Sequence, residues 1–201
     1  MIAVVDYGMG NLRSVSKALE FSGGHVCVTS NPAQIEAADK LVLPGVGAFG
    51  DAALELKSRL LWDPVVTHIR QGKPFLGICL GLQLLLSESE ESPGVPGLGI
   101  FPGKVIRFRS RGVKIPHMGW NQIDFQGAHP LLAGVSSGSY FYFVHSFYAA
   151  PEDESLGFGR TSYGGENFCA ILAKDNVFAT QFHPEKSQEA GLRILKNFLA
   201  V

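Results

Sequence analysis

The chain has 201 residues, of which 46% are hydrophobic and 17% charged, and its 17 basic and 18 acidic residues give a formal net charge of -1. This length suits one well-buried domain over residues 1–201, and the composition excludes a disordered chain. The balanced charge provides no electrostatic attraction to nucleic acid or to an anionic membrane, so we expect neither as a partner.

The sequence predicts a cytoplasmic protein. Its first six residues, MIAVVD, lack a basic segment before their apolar part, and every apolar run is shorter than the roughly 20 residues that span a bilayer. The three cysteines are far apart, with neither C-x-x-C spacing nor a nearby pair of histidines. This argues against disulfides and a zinc site and leaves a buried or a catalytic role for Cys27, Cys79 and Cys169.

Four short apolar runs in the first 80 residues predict β-strands, because each is followed by a turn or a glycine-rich loop. The runs are Ile2–Val5, His25–Thr29, Lys40–Leu43 and Pro74–Ile78. Their apolar residues are continuous rather than alternating, which predicts an α/β fold with a largely parallel central sheet and helices on both faces. The ligand sites of such sheets lie at the carboxyl ends of the strands.

The spacing of apolar residues predicts the helices. Asn11 is a candidate N-cap for the first, and Pro64 fits the first turn of the second of two segments between residues 48 and 72. A further helix is expected from Leu80 to about Ser87, and a last one from Gln188 to Leu199.

The pattern changes after Glu91, where a loop rich in proline and glycine is followed by shorter strand-like runs. These runs are Val105–Phe108, Asn121–Phe125, Tyr140–Val144, Phe168–Ala173 and Val177–Phe182. The last two predict a hairpin around Asp175-Asn176. We therefore expect an antiparallel extension of the sheet rather than a second domain.

The segment Gly77-Ile78-Cys79-Leu80-Gly81 has the G-x-S-x-G spacing of a nucleophile elbow, with cysteine in place of serine. The glycines would allow a sharp strand-to-helix turn with a strained central residue, and the start of a helix would favour a thiolate there. The backbone N–H of Leu80 would be free to bind an oxyanion. Taken alone, the pattern also fits a buried apolar role for Cys79.

His183 is the candidate base among the six histidines. It follows a predicted strand, and because residues i and i+2 of an extended segment project to the same side, Glu185 could orient its ring. With Cys79 these residues predict a Cys-His-acid arrangement. His145 is a competing candidate, although a histidine in an aromatic strand is more often packed than catalytic. Surface positions are expected for His25 and His68.

The loop Pro44-Gly45-Val46-Gly47 follows the third predicted strand. A glycine-rich turn at that place could present a second N–H to an oxyanion, whereas alone it is an ordinary strand-to-helix turn.

These motifs resemble, over nearly the whole chain, those of the triad-type (class I) glutamine amidotransferases. The matching elements are Pro44–Gly47, Gly77–Gln83 and His183–Glu185, in the order found in that family. Three further stretches resemble the glutaminase subunits of imidazole glycerol phosphate synthases, a histidine-biosynthesis family. They are Asp6–Leu12, Lys114–Asn121 and Tyr142–Phe147, although that family commonly has a tyrosine in place of Phe147.

The resemblance implies a flavodoxin-like class I glutamine amidotransferase fold, no cofactor and no metal, and hydrolysis of glutamine to glutamate and ammonia. It also implies that Cys79 forms a γ-glutamyl thioester, that His183 carries the proton to the departing ammonia, and that Glu185 orients His183. The substrate would be held by Gln83 and by the backbone at Ser146 and Phe147. The oxyanion would be held by Leu80, Gly45, Val46 and Gly47.

A partner is implied as well. Ammonia released into neutral water is mostly protonated and no longer nucleophilic, so a second subunit must receive it directly. In the family that this chain resembles, the receiver is a (β/α)8-barrel cyclase that makes imidazole glycerol phosphate and aminoimidazole carboxamide ribotide. We expect Gly8–Asn11 and Pro116–Asn121 to face the barrel, with Met118 and Trp120 either at the interface or in the core.

Three other functions fit parts of the sequence. The glutaminase subunit of pyridoxal phosphate synthase would share the triad but is not expected to carry Lys114–Asn121. A nucleotide-binding module would use Gly8-Met9-Gly10, but Arg13 occupies the third glycine position of G-x-G-x-x-G. A peptidase of related α/β architecture would share the cysteine elbow.

Overall fold

A computed structural model describes residues 1–110 and 112–201, and its centre is a mixed sheet of nine strands. In spatial order the strands are β2 (Val26–Thr29), β1 (Ile2–Val5), β3 (Lys40–Gly45), β4 (Phe75–Cys79), β12 (Val177–Thr180), β11 (Glu166–Lys174), β10 (Gly157–Tyr163), β7 (His117–Phe125) and β8 (Ser139–His145). Neighbours from β2 to β12 are parallel, and the remaining neighbours are antiparallel. The predicted α/β architecture with an antiparallel extension is confirmed.

A smaller sheet lies beside the main one. It contains β5 (Glu88–Ser89), β6 (Gly103–Arg107) and β9 (Phe147–Pro151). The sequence patterns did not predict β5, β9 or β10. The two residues of β5 are too few to show any periodicity, and β10 carries glycines that interrupt an apolar pattern.

Helices cover both faces of the main sheet. One face is covered by α1 (Leu12–Phe21) and α6 (Gln188–Ala200), and the other by α2 (Pro32–Ala37), α3 (Phe49–Ser58) and α4 (Trp62–Arg70). A hydrophobic core lies on each face of the sheet, and alternate residues of β1 point into one or the other. Ile2 and Val4 pack in the core beneath α1 and α6, and Ala3 and Val5 pack in the core beneath α2, α3 and α4. Across residues 1–110 and 112–201, no helix is long and apolar enough to cross a membrane.

Two helix predictions need correction. The segment after Cys79 is helical only over α5 (Leu80–Gln83), because the chain then tightens into i to i-3 hydrogen bonds at Leu85 and Leu86 and enters β5. Asn11 is the N-cap residue of α1, but its side chain makes no capping hydrogen bond.

The surface position expected for His68 is also wrong. This side chain is fully buried on the inner face of α4, and its Nε2 lies 3.1 Å from the carbonyl oxygen of Pro74, the residue before β4. His25 is exposed, as expected.

The parallel strands bring the predicted site segments to one edge of the sheet. The carboxyl ends of β1, β3 and β4 lie side by side, and the pairing of β3 with β4 places Gly45 directly beside Cys79. Because parallel strands share a carboxyl edge, the loop after β1, the loop Pro44–Gly47 and the cysteine elbow are assembled there.

Candidate active site

Cys79 lies at a strained turn between β4 and α5. Its backbone has φ 55° and ψ -103°, in the region of positive φ that a residue with a Cβ rarely adopts. Close packing enforces this turn. A Cβ added at Gly77 would lie 2.9 Å from the carbonyl group of Gly81, and one added at Gly81 would overlap the carbonyl oxygen of Leu43. The structure therefore has the sharp turn that the sequence predicts, and Gly77 and Gly81 are the residues whose lack of a side chain permits it.

The helix behind the elbow is shorter than the sequence predicts, and this changes the electrostatics. Peptide dipoles add along a helix, so the single turn of α5 supplies only a small positive field at Cys79. Local groups matter more here. Gln181 is fully buried, and its Nε2 donates to the sulfur of Cys79 at 3.7 Å.

His183 and Glu185 form a buried pair. Nδ1 of His183 lies 2.8 Å from Oε1 of Glu185, with the two side chains 2% and 0% exposed. His183 is extended, whereas Glu185 lies in a one-turn 3-10 helix, so the pair does not arise from the simple i, i+2 geometry of a strand. The backbone of His183 is fixed as well, because its N–H donates to Tyr142 O at 3.0 Å and its carbonyl accepts from Ser187 Oγ at 2.7 Å.

The protonation of His183 depends on Cys79. Burial lowers the pKa of His183, but the nearby charge of Cys79, followed by the hydrogen bond and charge of Glu185, outweighs it and raises this pKa to about 10. Within the described residues, the buried Nε2 has no partner that meets hydrogen-bond geometry. One ring nitrogen is thus engaged by the acid, and the other is available for proton transfer.

A pocket of about 320 Å³ opens beside Cys79, within the range of small-molecule sites. Most of the predicted site residues line it. They are Val46, Gly47, Cys79, Leu80, Gln83, Ser146 and Phe147. His183 and Glu185 are packed behind the thiol rather than in the wall, and Gly45 is held at the edge of the pocket by its pairing with Cys79.

Gln83 is tied into the pocket wall. Its side-chain Nε2 donates to the carbonyl oxygen of Phe147 at 2.9 Å and to Oε1 of Gln181 at 3.2 Å. Since Gln181 also contacts the thiol, a continuous set of hydrogen bonds joins the elbow to Phe147. The amide nitrogen of Gln83 is therefore used for positioning, which leaves its oxygen for a ligand.

The loop Pro44–Gly47 is packed against the loop after β1. Tyr7 is fully buried, and its hydroxyl donates to Pro44 O at 2.8 Å. A Cβ at Gly45 would clash with this hydroxyl and would lie 2.8 Å from Cβ of Leu80, so only glycine fits between them. Gly47 has φ 102°, a conformation that favours glycine. Together these contacts set the direction of the peptide groups beside Cys79.

Sequence reasoning missed three residues of this site. Gln181 stands two residues before His183, and the same i, i+2 argument could have selected it. Tyr7 lies two residues after the end of β1, at the carboxyl edge where ligand sites form. Glu91 has no such signal. It lines the pocket while its Oε2 accepts from Phe49 N at 2.8 Å, a contact between distant parts of the chain.

The remaining candidates have structural surroundings. His145 is buried among aromatic rings, as expected for a packed residue. Cys169 is buried, which raises its pKa to about 12, and Cys27 is half-buried. In the part of the chain that the structure describes, no cluster of three or more histidine, cysteine or acidic side chains could hold a metal ion.

The chain is similar to known proteins over its full length. Residues 3–201 match the family described as Glutamine amidotransferase class-I. Two relatives described as imidazole glycerol phosphate synthase subunit HisH are 54% identical (Syntrophotalea carbinolica, 98% of each chain covered) and 55% identical (Methanothermobacter thermautotrophicus, 100% of this chain and 98% of the relative).

Solved structures show the same fold at low sequence identity. A glutamine amidotransferase crystal structure has a TM-score of 0.77 at 20% identity and covers 100% of both chains. A structure of PurLQS from Thermotoga maritima has a TM-score of 0.78 at 20% identity and covers 99% of this chain and 97% of that chain. The predicted class I glutamine amidotransferase fold is thereby confirmed.

Proposed function

Because this chain belongs to the class-I glutamine amidotransferase family, we propose that it is the glutaminase subunit of an imidazole glycerol phosphate synthase and releases ammonia from glutamine for histidine biosynthesis. The observation that carries the proposal is the strained Cys79 coupled through its charge to a buried His183–Glu185 pair, in a chain over half identical to imidazole glycerol phosphate synthase subunits HisH. We also propose that residues 1–201 are one glutamine amidotransferase domain, since both cores share a single sheet.

The first half of the reaction acylates the enzyme. The Cys79 thiolate attacks the γ-carboxamide carbon of glutamine, and the carbonyl oxygen becomes an oxyanion. That oxyanion accepts hydrogen bonds from the N–H of Leu80 and from the loop Gly45–Gly47. His183 gives its proton to the leaving nitrogen, so ammonia departs and a γ-glutamyl thioester remains on Cys79.

The second half regenerates the thiol. His183, now neutral, removes a proton from water as the water attacks the thioester carbon. The bond to sulfur breaks, glutamate leaves, and Cys79 and His183 again share one proton. Glu185 keeps the ring of His183 in the same orientation through both halves by accepting from Nδ1.

The pocket supports an α-amino acid as the substrate. Glu91 is the one acidic side chain among the residues that line the pocket, and it would pair with the α-ammonium group of glutamine. Backbone groups at Ser146 and Phe147 and the side-chain oxygen of Gln83 would bind the other polar groups. These contacts favour a free amino acid over an internal residue of a peptide, which disfavours the peptidase alternative.

The partner is proposed to be a (β/α)8-barrel cyclase that consumes the ammonia. Exposed apolar side chains on the antiparallel extension support a docking surface there, since Met118 and Trp120 are 59% and 46% exposed. The core position considered for them is wrong. We further propose that the protein works in the cytoplasm, and no role for nucleic acid, membrane or cofactor enters the reaction.

The proposal is tested by incubating the chain with glutamine labelled with ¹⁵N in its amide, alone and with a candidate cyclase and its ligand. Glutamate should form in both conditions, faster with the cyclase, and the label should enter the cyclase product. Absence of glutamate in both conditions would contradict the proposal. A label released only as free ammonium would retain the glutaminase but exclude this partner.

Substrate binding is tested with Glu91→Gln. We expect the KM for glutamine to rise at least about tenfold, because one charge-assisted contact is lost. The variant should also lose its preference for glutamine over the analogue that lacks the α-amino group. The matched control is Glu90→Gln, whose carboxylate pairs with Arg109 instead of lining the pocket. An unchanged preference in Glu91→Gln would remove Glu91 from the substrate site.

A further inference from the structure

Two buried histidines face each other beside the glutamine pocket without taking part in the chemistry described above. His117 of β7 and His145 of β8 are directly opposite in the strand pairing, and both are almost fully buried. Nδ1 of His117 lies 3.3 Å from Nε2 of His145. Buried polar groups of this kind need a defined set of partners.

These two rings belong to a series of hydrogen bonds that ends at the carbonyl oxygen of Phe147, and this oxygen determines where the protons lie on both rings. Nδ1 of His145 lies 2.8 Å from the carbonyl oxygen of Phe147, which can only accept, so Nδ1 carries the proton. In a neutral ring Nε2 is then an acceptor, and Nδ1 of His117 must donate to it. Nε2 of His117 in turn accepts from Nδ2 of Asn121 at 3.4 Å.

The surroundings keep the two imidazole rings uncharged and fixed in orientation. Burial, and then to a lesser degree the charges of His117 and His183, lowers the pKa of His145 to about 3, although its hydrogen bond to Phe147 opposes the shift. Burial lowers the pKa of His117 to about 4. The ring of His117 is also stacked between Phe143 and Tyr163, with centroid distances of 4.8 and 4.0 Å. Neither ring can turn without losing these contacts.

The series of hydrogen bonds ends at the carbonyl oxygen of Phe147, a residue that lines the substrate pocket. The carbonyl oxygen of Phe147 accepts from His145 and, at 2.9 Å, from Gln83, so both of its acceptor positions are used. Fixing this oxygen fixes the peptide after Phe147 and the amide of Gln83 together. Both residues line the pocket beside Cys79.

We propose that His117 and His145 are positioning residues for glutamine. The chain of neutral hydrogen bonds from Asn121 through the two rings holds the Phe147 carbonyl and Gln83 in the geometry that binds the substrate. Neither ring transfers a proton to or from the reacting atoms. This inference rests on the proposed glutaminase function and adds two residues to it.

The test compares His117→Phe with His117→Asn. Phenylalanine keeps the stacking surface and removes both hydrogen bonds, whereas asparagine keeps a donor at the position of Nδ1. We expect the KM for glutamine to rise roughly tenfold in His117→Phe, with kcat changed less than about threefold, and a smaller rise in His117→Asn. The matched control is His129→Phe, a histidine at a separate cavity, which should leave KM unchanged.

Two thiol reagents separate this inference from the proposed function. A diazoketone analogue of glutamine is held by the glutamine-binding contacts of the pocket before it alkylates Cys79, whereas iodoacetamide reaches the same thiol without those contacts. His117→Phe should slow the reaction of Cys79 with the analogue and leave the rate of alkylation of Cys79 by iodoacetamide unchanged. If the wild-type chain neither hydrolyses glutamine nor reacts with the analogue, the proposed function fails. The positioning role is overturned if the wild type hydrolyses glutamine and reacts with the analogue, and His117→Phe does so at the same rates. It is also overturned if the variant reacts more slowly with both reagents to the same degree.

The wild-type chain offers a second test that needs no variant to fold. The ¹⁵N chemical shifts of the two imidazole rings should show neutral rings protonated at Nδ1, with Nε2 as acceptor in both. A proton on Nε2 of His145, or a charged ring, would overturn the chain of hydrogen bonds.

Discussion

Gly81 packs directly against the backbone of Leu43, so that a Cβ at Gly81 would overlap the Leu43 carbonyl oxygen and lie 3.0 Å from its carbonyl carbon. Gly81 lies in α5 and Leu43 in β3, and these two packed backbone segments cannot move apart cheaply, so we expect Gly81→Ala to open the elbow. Thermal unfolding should show a fall in Tm of several degrees or more, and glutamine hydrolysis should be lost.

The control for this substitution is Gly157→Ala. Gly157 has an ordinary backbone φ of -76°, and its added Cβ would meet a flexible Arg160 side chain and the Glu154 carbonyl at 3.3 Å. Its effect on Tm and activity should be small. Equal effects at both glycines would mean that the elbow is not the sensitive point.

Tyr7 should act on the rate of the reaction through Pro44. Tyr7→Phe removes the hydroxyl that donates to Pro44 O and leaves a buried acceptor beside the oxyanion loop. We expect kcat to fall roughly tenfold with little change in the KM for glutamine, because the loop binds the oxyanion that forms only during reaction. Tyr140→Phe, at an exposed position, is the control. A rise in KM at unchanged kcat would instead place Tyr7 in ground-state binding.

His183 should titrate far above an ordinary histidine. Its pKa is raised to about 10 mainly by Cys79, so ¹⁵N resonances should report a charged ring at neutral pH, and Cys79→Ala should lower this pKa. Because the folded pKa exceeds the unfolded value of 6.5, the stabilisation is complete below about pH 6.5 and is lost as pH rises through about 10.

The free energy of unfolding measures the same coupling. Between pH 7 and 10 it should decrease more in the wild-type chain than in Cys79→Ala, as followed by urea denaturation. Cys27→Ala, a half-buried thiol elsewhere, should behave as the wild type. Identical His183 titrations in the wild type and in Cys79→Ala would contradict the coupling.

The sequence predicted the parts of the fold that follow from local pattern. Continuous apolar strands identified the parallel half of the sheet, and the G-x-C-x-G spacing located the strained residue. The length of α5 was wrong because Leu82 to Leu86 satisfy a helical pattern, while their burial against the loop before β6 favours tighter turns. Contacts between distant segments, such as Glu91 with Phe49 or His117 with His145, depend on how the strands pair and have no local signal.

The exposed side of the antiparallel extension should bind the partner subunit. Trp120 projects from β7 with 46% of its surface exposed, and a large aromatic residue at the centre of an interface contributes strongly to affinity. Trp120→Ala should raise the Kd for the cyclase at least about tenfold in a titration. Phe21→Ala is the control, since Phe21 is more exposed but lies at the end of α1. Equal affinities for wild type and Trp120→Ala would place the interface elsewhere.

The proposed function requires that Cys79 carries the glutaminase reaction and has no structural role in the partner's synthesis step. It is tested most directly by assembling Cys79→Ala with the cyclase and measuring product formation from glutamine and, separately, from ammonium salts. We expect no product from glutamine and the wild-type rate from ammonia. Product from glutamine at the wild-type rate, or loss of the ammonia-dependent rate as well, would contradict the account.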